Sequence, residues 1–240
     1  MGGLYATADI HAPRYYALFR EALARLSREA GEVCALILAG DIVDSGKASM
    51  LEPVLRAIDS ELGAVKVVAV FGNEEYEEVR DTLKRISAGR VEWLDDSVTY
   101  VECNGERVGI VGTSGALDRP TRWQRRHKPH LARLYAERPR IVEGLLSEAK
   151  RNADRVVLVS HYGLSRATLR GEDPRFWPEM YSSALEDVVR RLRPDAAVHG
   201  HAHNGTPYAL VGGVPVYNVA LPLNRRIVEV KWRRGLEAFL

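Results

Sequence analysis

The sequence is short of most features that mark a specialised chain. It has only two cysteines, Cys34 and Cys103, in 240 residues. Two isolated cysteines make neither a disulfide framework nor a zinc knuckle, so the expectation is a pair of buried free thiols in a reducing cytoplasm. Gln124 is the only glutamine, and arginine dominates the 34 basic residues. Scarce thermolabile amides beside abundant charge resemble the composition of a heat-adapted protein, although a compositional bias of the genome gives the same pattern. No apolar run reaches the roughly 18–20 residues of a membrane span. The start, MGGLYATADI, has no basic region followed by an apolar core, so no secretory signal is read there. Tyr5 and Ala6 lead too directly into a strand-like run for Gly2 to read as a lipidation site. A net charge of +2 does not by itself argue for nucleic acid. Linker-like stretches, repeats and low-complexity segments are missing as well. One domain over residues 1–240 and a cytoplasmic location are therefore expected.

What remains is a globular balance: 46% hydrophobic and 28% charged residues, enough to bury a full core. In the first half, short apolar runs (GLYATAD, CALILAGD, VKVVAVFGN) alternate with helical patterns over roughly 13–30, 48–62 and 75–87. Such runs suit strands buried on both faces, and the alternation suggests βαβ units. VTYVECNGERVGIVGT reads as a hairpin turning at Asn104-Gly105. A basic, helical region over 119–152 precedes the strand RVVLVSH, and a helix over 182–193 precedes DAAVHGHAH. The end, YALVGGVPVYNVALPLNRRIVEVKW, reads as antiparallel strands with a Gly212-Gly213 turn. The sheet content is thus mixed.

Five strands end in polar residues: Asp9-Ile10-His11, Gly40-Asp41 with Asp44 beyond, Gly72-Asn73, Ser160-His161, and His199-Gly200-His201-Ala202-His203. In an open parallel sheet these ends share one edge, where ligands bind. Imidazole, carboxylate and amide oxygen without thiolate suit a divalent cation such as Mn, Fe, Zn, Co or Ni. The spacing in D-x-H and H-x-H places paired ligands on one side of an extended segment. Seven candidates exceed the quota of one open metal site and fit two metals sharing a carboxylate. Taken singly, each residue reads as a turn, a cap or a hydrogen-bonding side chain. The coincidence at five strand ends is what those readings do not explain.

In order, D-x-H, G-D-x-x-D, G-N-x-[DE], H and G-H-x-H resemble the calcineurin-like metallophosphoesterase superfamily, over residues 9–203. The resemblance implies an α/β (α+β) fold, a four-layer αββα sandwich of two mixed sheets flanked by helices. It places one metal on Asp9, His11, Asp41 and His203 and a second on Asp41, Asn73, His161 and His201, with Asp41 bridging. His199 has no ligand counterpart and is read as supporting or structural. Two divalent ions, manganese foremost, are implied as cofactors. The implied reaction is attack on phosphorus by a hydroxide made between them, with no protein nucleophile and so no role for Ser160 or Ser165.

Many members carry histidine after the motif asparagine, where this chain has Glu74. Glu74, with Asp41, is a candidate catalytic residue. It acts as an acid with a raised pKa, or points away with leaving-group help coming from elsewhere or unneeded, or marks a non-catalytic site. The second reading favours phosphodiesters, aryl esters or anhydrides over alkyl monoesters. From Arg119 to Arg140 the insert holds eight Lys/Arg and one acid, Glu137. It is either a solvated face or an anion-attracting rim formed by Arg119, Arg122, Arg125, Arg126 and Lys128. Trp123 among these cations suits a stacked nucleobase. His127 and His130 are further proton-donor candidates. The long loop after His161, with Arg166, Arg170, Phe176 and Trp177, is either a site wall or surface packing. The expected partner is a small phosphoester or nucleotide-like substrate. Nucleic acid is less favoured and membrane is not expected.

Overall fold

The computed structural model describes residues 2–232. In chain order the elements are β1 (Gly3–Thr7), α1 (Tyr16–Glu29), β2 (Val33–Ala39), α2 (Leu51–Leu62), β3 (Val67–Val70), α3 (Glu77–Ile86), β4 (Val91–Leu94), β5 (Ser97–Cys103), β6 (Glu106–Thr113), α4 (Arg122–His127), α5 (Leu131–Asn152), β7 (Arg155–Ser160), α6 (Ser183–Leu192), β8 (Ala196–His199), β9 (Tyr208–Val211), β10 (Val214–Asn218), α7 (Leu221–Asn224) and β11 (Val228–Val230).

Two mixed sheets result, ordered β11-β1-β2-β3-β4 and β5-β6-β7-β8-β10-β9. Side-chain alternation makes each strand serve two cores. On β2, Leu36 and Leu38 face α1 and α2, packing with Phe19, Leu23, Val54 and Ile58. Ala35, Ile37 and Ala39 face the second sheet, where Val108, Ile110, Val157 and Val159 meet them. On the far side, Val111, Val156 and Leu158 pack under Val142 and Leu146 of α5 and Leu185 and Val189 of α6. Three apolar interfaces thus separate four layers, the expected αββα sandwich. Strands β1, β2 and β3 run parallel, as do β7 and β8, so the five polar strand ends lie at one edge of the sandwich. The β5–β6 hairpin turns at Asn104 and Gly105, both with positive φ as a tight type I′ turn requires.

Val91–Leu94 forms an edge strand that was not foreseen, because four residues, three half-buried and one buried, carry too short a pattern. The C-terminal strands are antiparallel as expected, β9 and β10 forming a hairpin at Gly212-Gly213 in the second sheet, while β11 crosses to the first sheet to pair with β1. The intervening α7, with a left-handed Arg225 at its end, turns the chain between sheets.

The cysteines are also not free. Cys34 and Cys103 are disulfide-bonded, with Cα atoms 5.4 Å apart across the two sheets. Residues 69 apart in sequence meet only because β2 and β5 face each other, which no local pattern announces. By loop-closure arithmetic the bond removes about 4 kcal/mol of chain entropy from the unfolded state. Replacing both cysteines with alanine is expected to lower the melting temperature by about 10 °C, read by calorimetry. An unchanged melt would show that the bond contributes no stability.

Candidate metal centre

The candidate ligands sit just beyond their strands in a strained backbone. Asp9, His11, Asp41 and His201 have φ of 59, 41, 51 and 69°. Left-handed non-glycine residues cost of order 1–3 kcal/mol each and cluster at functional sites. This corrects the picture of ligands on an extended segment: the chain coils at Asp9, His11 and His201, which aims their side chains inward. Gly40 is left-handed at φ 87°, and a Cβ there would come within 2.6 Å of His161 Nδ1. Gly72 has no such φ; its role is close approach, since a Cβ would collide with Asp41.

All seven predicted residues converge. Ligand atoms of Asp9, His11 and His203 lie within 4.8 Å of one another, as do those of Asp41, His161 and His201. Asp41 Oδ2 is 3.6 Å from His11 Nε2 and 3.4 Å from His161 Nε2, so one oxygen faces both groups. Asp9 Oδ1 lies 3.1 Å from His203 Nε2 and 3.8 Å from His11 Nε2. Asn73 Oδ1 is 3.0 Å from His161 Nε2. The opposite nitrogen of that ring, Nδ1, lies 3.0 Å from the Ala39 carbonyl. As a donor to that carbonyl it turns Nε2 toward Asp41 and Asn73.

The electrostatics call for positive charge. Burial alone would lower His161, but the Asp41 and Asp9 carboxylates and the Ala39 carbonyl outweigh it and push the ring up to about 9. Burial would likewise raise Asp9, yet His11 and His203 hold it well below the carboxylate range. Burial and the neighbouring His161 press His201 down to about 3, leaving it neutral. Asp9 Oδ1 and both ring nitrogens of His11 are buried without a hydrogen-bond partner. Buried polar atoms are nearly always paired, and a divalent cation is the partner this oxygen and imidazole set suits. The residues therefore fit the implied ions.

The two glutamates have different surroundings. Glu75 is buried, and its carboxylate accepts from the N–H groups of Asp41 (2.8 Å), Val43 (3.0 Å) and Gly72 (2.7 Å). It ties the loop after β2 to the loop after β3. Burial and the Asp41 carboxylate push it up to about 7 despite those bonds. Glu74 donates its backbone N–H to Asp41 Oδ1 (2.8 Å), while its carboxylate accepts from the Ser45 N–H (2.7 Å). Its ligand atom also lies within 4.8 Å of those of His11 and Asp44.

His199 is buried, with Nε2 at 2.7 Å from Thr168 Oγ1 and Nδ1 at 2.7 Å from the Gly200 carbonyl. Burial lowers it to about 4, so it is a neutral brace. Asn218 on β10, not singled out in the sequence, donates to the Ala202 carbonyl at 2.7 Å and steadies the loop bearing His201 and His203.

Beside Asn73 opens a cavity of about 780 Å³ between the start of α3 and the α4–α5 hairpin. Of the expected basic rim, only Lys128 lines it. Arg119 pairs with Glu179, Arg125 lies 3.9 Å from the same carboxylate, and Lys128 pairs with Glu77 and Glu78. Arg138 is buried and bonded to Asp96, so the insert is not simply a solvated face. In the loop after His161, Arg166 lies over the Trp177 ring, and Arg166, Arg170, Phe176 and Trp177 do not line this cavity.

The chain belongs to the calcineurin-like phosphoesterase family, whose sequence model matches residues 4–205. Its fold is similar to that of a phosphopantetheinyl hydrolase from Mycobacterium tuberculosis, with TM-score 0.70 and 17% identity over 98% of this chain and 99% of the other. It is also similar to a putative 5′-nucleotidase from Staphylococcus aureus, with TM-score 0.62 and 16% identity over 90% of this chain and 48% of that one. A third similar structure is GAP50, the anchor in the inner membrane complex of Plasmodium, with TM-score 0.58 and 10% identity over 91% and 71%. No curated protein matches the sequence. At these identities the likeness is one of fold. The family makes the protein a metallophosphoesterase, and no helix among the described residues is long and apolar enough to cross a membrane.

Proposed function

We propose that the protein is a dinuclear, metal-dependent hydrolase that favours phosphodiester or nucleotide-like substrates over alkyl monoesters. The observation that carries this is the position of Asp41 Oδ2 between histidines of two ligand groups. Asp9, His11, Asp41 and His203 would hold one cation, and Asp41, Asn73, His161 and His201 the other. Manganese is the first choice of ion, and Fe, Zn, Co and Ni also suit this oxygen and nitrogen set. When bound, two such cations supply the Lewis acidity that activates water and offsets phosphoryl charge.

The chain's own residues set the geometry. Asp9 accepts the His201 N–H at 2.9 Å, which fixes the loop after β8 against the loop after β1. Glu75 clamps the loops that bear Asp41 and Asn73. Glu74 is read as a brace rather than an acid, because its carboxylate is engaged by Ser45. Without a general acid at that position, leaving groups of low pKa are favoured.

The proposal includes a cytoplasmic location. The arginine-rich, amide-poor composition resembles that of heat-adapted proteins, and intracellular proteins of hyperthermophiles keep disulfides.

The test is a screen of the manganese-reconstituted protein on aryl phosphodiesters, aryl monoesters and alkyl monoesters. Turnover of the diester well above the alkyl monoester is expected, and a strong preference for alkyl monoesters would contradict the reading. In the same assay Glu74→Gln is expected to stay within about threefold of the parent, with an unshifted pH profile. A general acid contributes about 10²- to 10⁴-fold, so a loss of that size would make Glu74 catalytic.

A further inference from the structure

We infer that the cavity beside Asn73 binds a planar aromatic group of the substrate, with Trp123 and Tyr76 as its recognition faces. This rests on the phosphoesterase reading of the neighbouring centre and names the organic class that centre would serve.

The cavity meets the metal centre at Asn73, the one candidate ligand in its lining. Gly72, Asn73 and Tyr162 line it. The Tyr162 ring lies 5.4 Å from that of His161 and 5.0 Å from that of His201. A phosphoryl group held beside Asn73 would have this space next to it for its organic substituent. The volume of about 780 Å³ falls in the range of small-molecule sites, roughly 300–1,000 Å³, and far exceeds what a methyl ester needs.

The lining chooses the kind of group. Tyr76 and Trp123 are 41% and 55% exposed, and both belong to this cavity. His127 stacks on Trp123 with ring centroids 4.9 Å apart, which extends the aromatic platform. Leu131, Leu134 and Tyr135 supply apolar wall. The cations present are already committed: Lys128 to Glu77 and Glu78, Arg138 to Asp96, and Arg80 to Asp95. An anion gains little in the cavity, whereas an uncharged ring meets faces able to stack.

The wall is also built rather than incidental. The one glutamine, Gln124, is buried, and its Nε2 donates to the hydroxyls of Tyr135 (3.0 Å) and Tyr162 (3.1 Å). It simultaneously completes the capping box of α4 with Thr121. A single amide thus locks α4 and α5 onto the loop that carries His161. At the opposite rim, Lys128 and His130 pair with Glu77 and tie the hairpin to α3. A wall anchored at both ends costs little ordering on binding.

The test is calorimetric titration of the manganese-loaded protein with methylphosphonate, cyclohexylphosphonate and phenylphosphonate, which carry one organic group each and are not hydrolysed. Phenylphosphonate is expected to bind about tenfold tighter than the other two, as stacking on an aromatic face allows. Trp123→Ala and Tyr76→Ala are each expected to erase most of that advantage. Equal binding of all three would overturn the inference while leaving the phosphoester reading in place. Cyclohexylphosphonate matching phenylphosphonate would overturn the planar preference. Binding of none would overturn the inference together with the reading on which it rests.

Discussion

Glu75→Ala is expected to lower the melting temperature of the metal-free protein by about 10 °C and to abolish measurable manganese binding. The carboxylate accepts three buried N–H groups, from Asp41, Val43 and Gly72. Each donor left unpaired costs about 1–3 kcal/mol, so about 3 kcal/mol is the floor. For a chain of this size 1 kcal/mol corresponds to about 2–4 °C. The functional loss follows from the same bonds, because they join the loops bearing Asp41 and Asn73. Glu75→Gln keeps one carbonyl oxygen facing those donors but turns an amide NH₂ toward them as well. It should fall between the parent and the alanine variant in both readouts. A Glu75→Ala protein that melts and binds manganese like the parent would remove Glu75 from the site's architecture.

Asp41→Asn is expected to cut phosphodiester turnover by on the order of 10³-fold, about 4 kcal/mol of transition-state stabilisation. The substitution keeps an oxygen for the Glu74 N–H, which Asp41 Oδ1 now accepts at 2.8 Å. What it removes is the anionic oxygen between His11 and His161. The fold itself should tolerate the change, since a buried charge near Asp9 is lost with it. The metal-free variant should therefore melt within a few degrees of the parent, while the stabilisation given by added manganese, which scales with cation affinity, should largely vanish. Parent-like turnover would refute the assignment of Asp41 as the shared ligand.

The ligand set was legible in the sequence because each member follows a strand whose apolar run is easy to see, and parallel strands bring their ends to one edge. Asp9, His11, Asp41, Asn73, His161, His201 and His203 all meet there. The four-layer order was legible only through the family resemblance. The role of Glu75 had a sequence signal, an acid two residues after Asn73, but its three backbone partners lie on another loop as well as its own. The Cys34–Cys103 bond had none, since it depends on which faces pack across the sandwich; the cavity was signalled only by Trp123, not by Tyr76 or the Gln124 bonds that build its wall. Lys128 and Arg138 misled in the opposite way. In sequence they belong to a basic run, whereas in space each has acidic partners from distant elements.

The most direct test is anomalous diffraction from crystals of the manganese-loaded protein. Two peaks are expected, one among Asp9, His11, Asp41 and His203 and one among Asp41, Asn73, His161 and His201, with the Asp41 carboxylate touching both. A single peak, or a peak held by His11, Asp44 and Glu74 in place of either, would contradict the dinuclear centre.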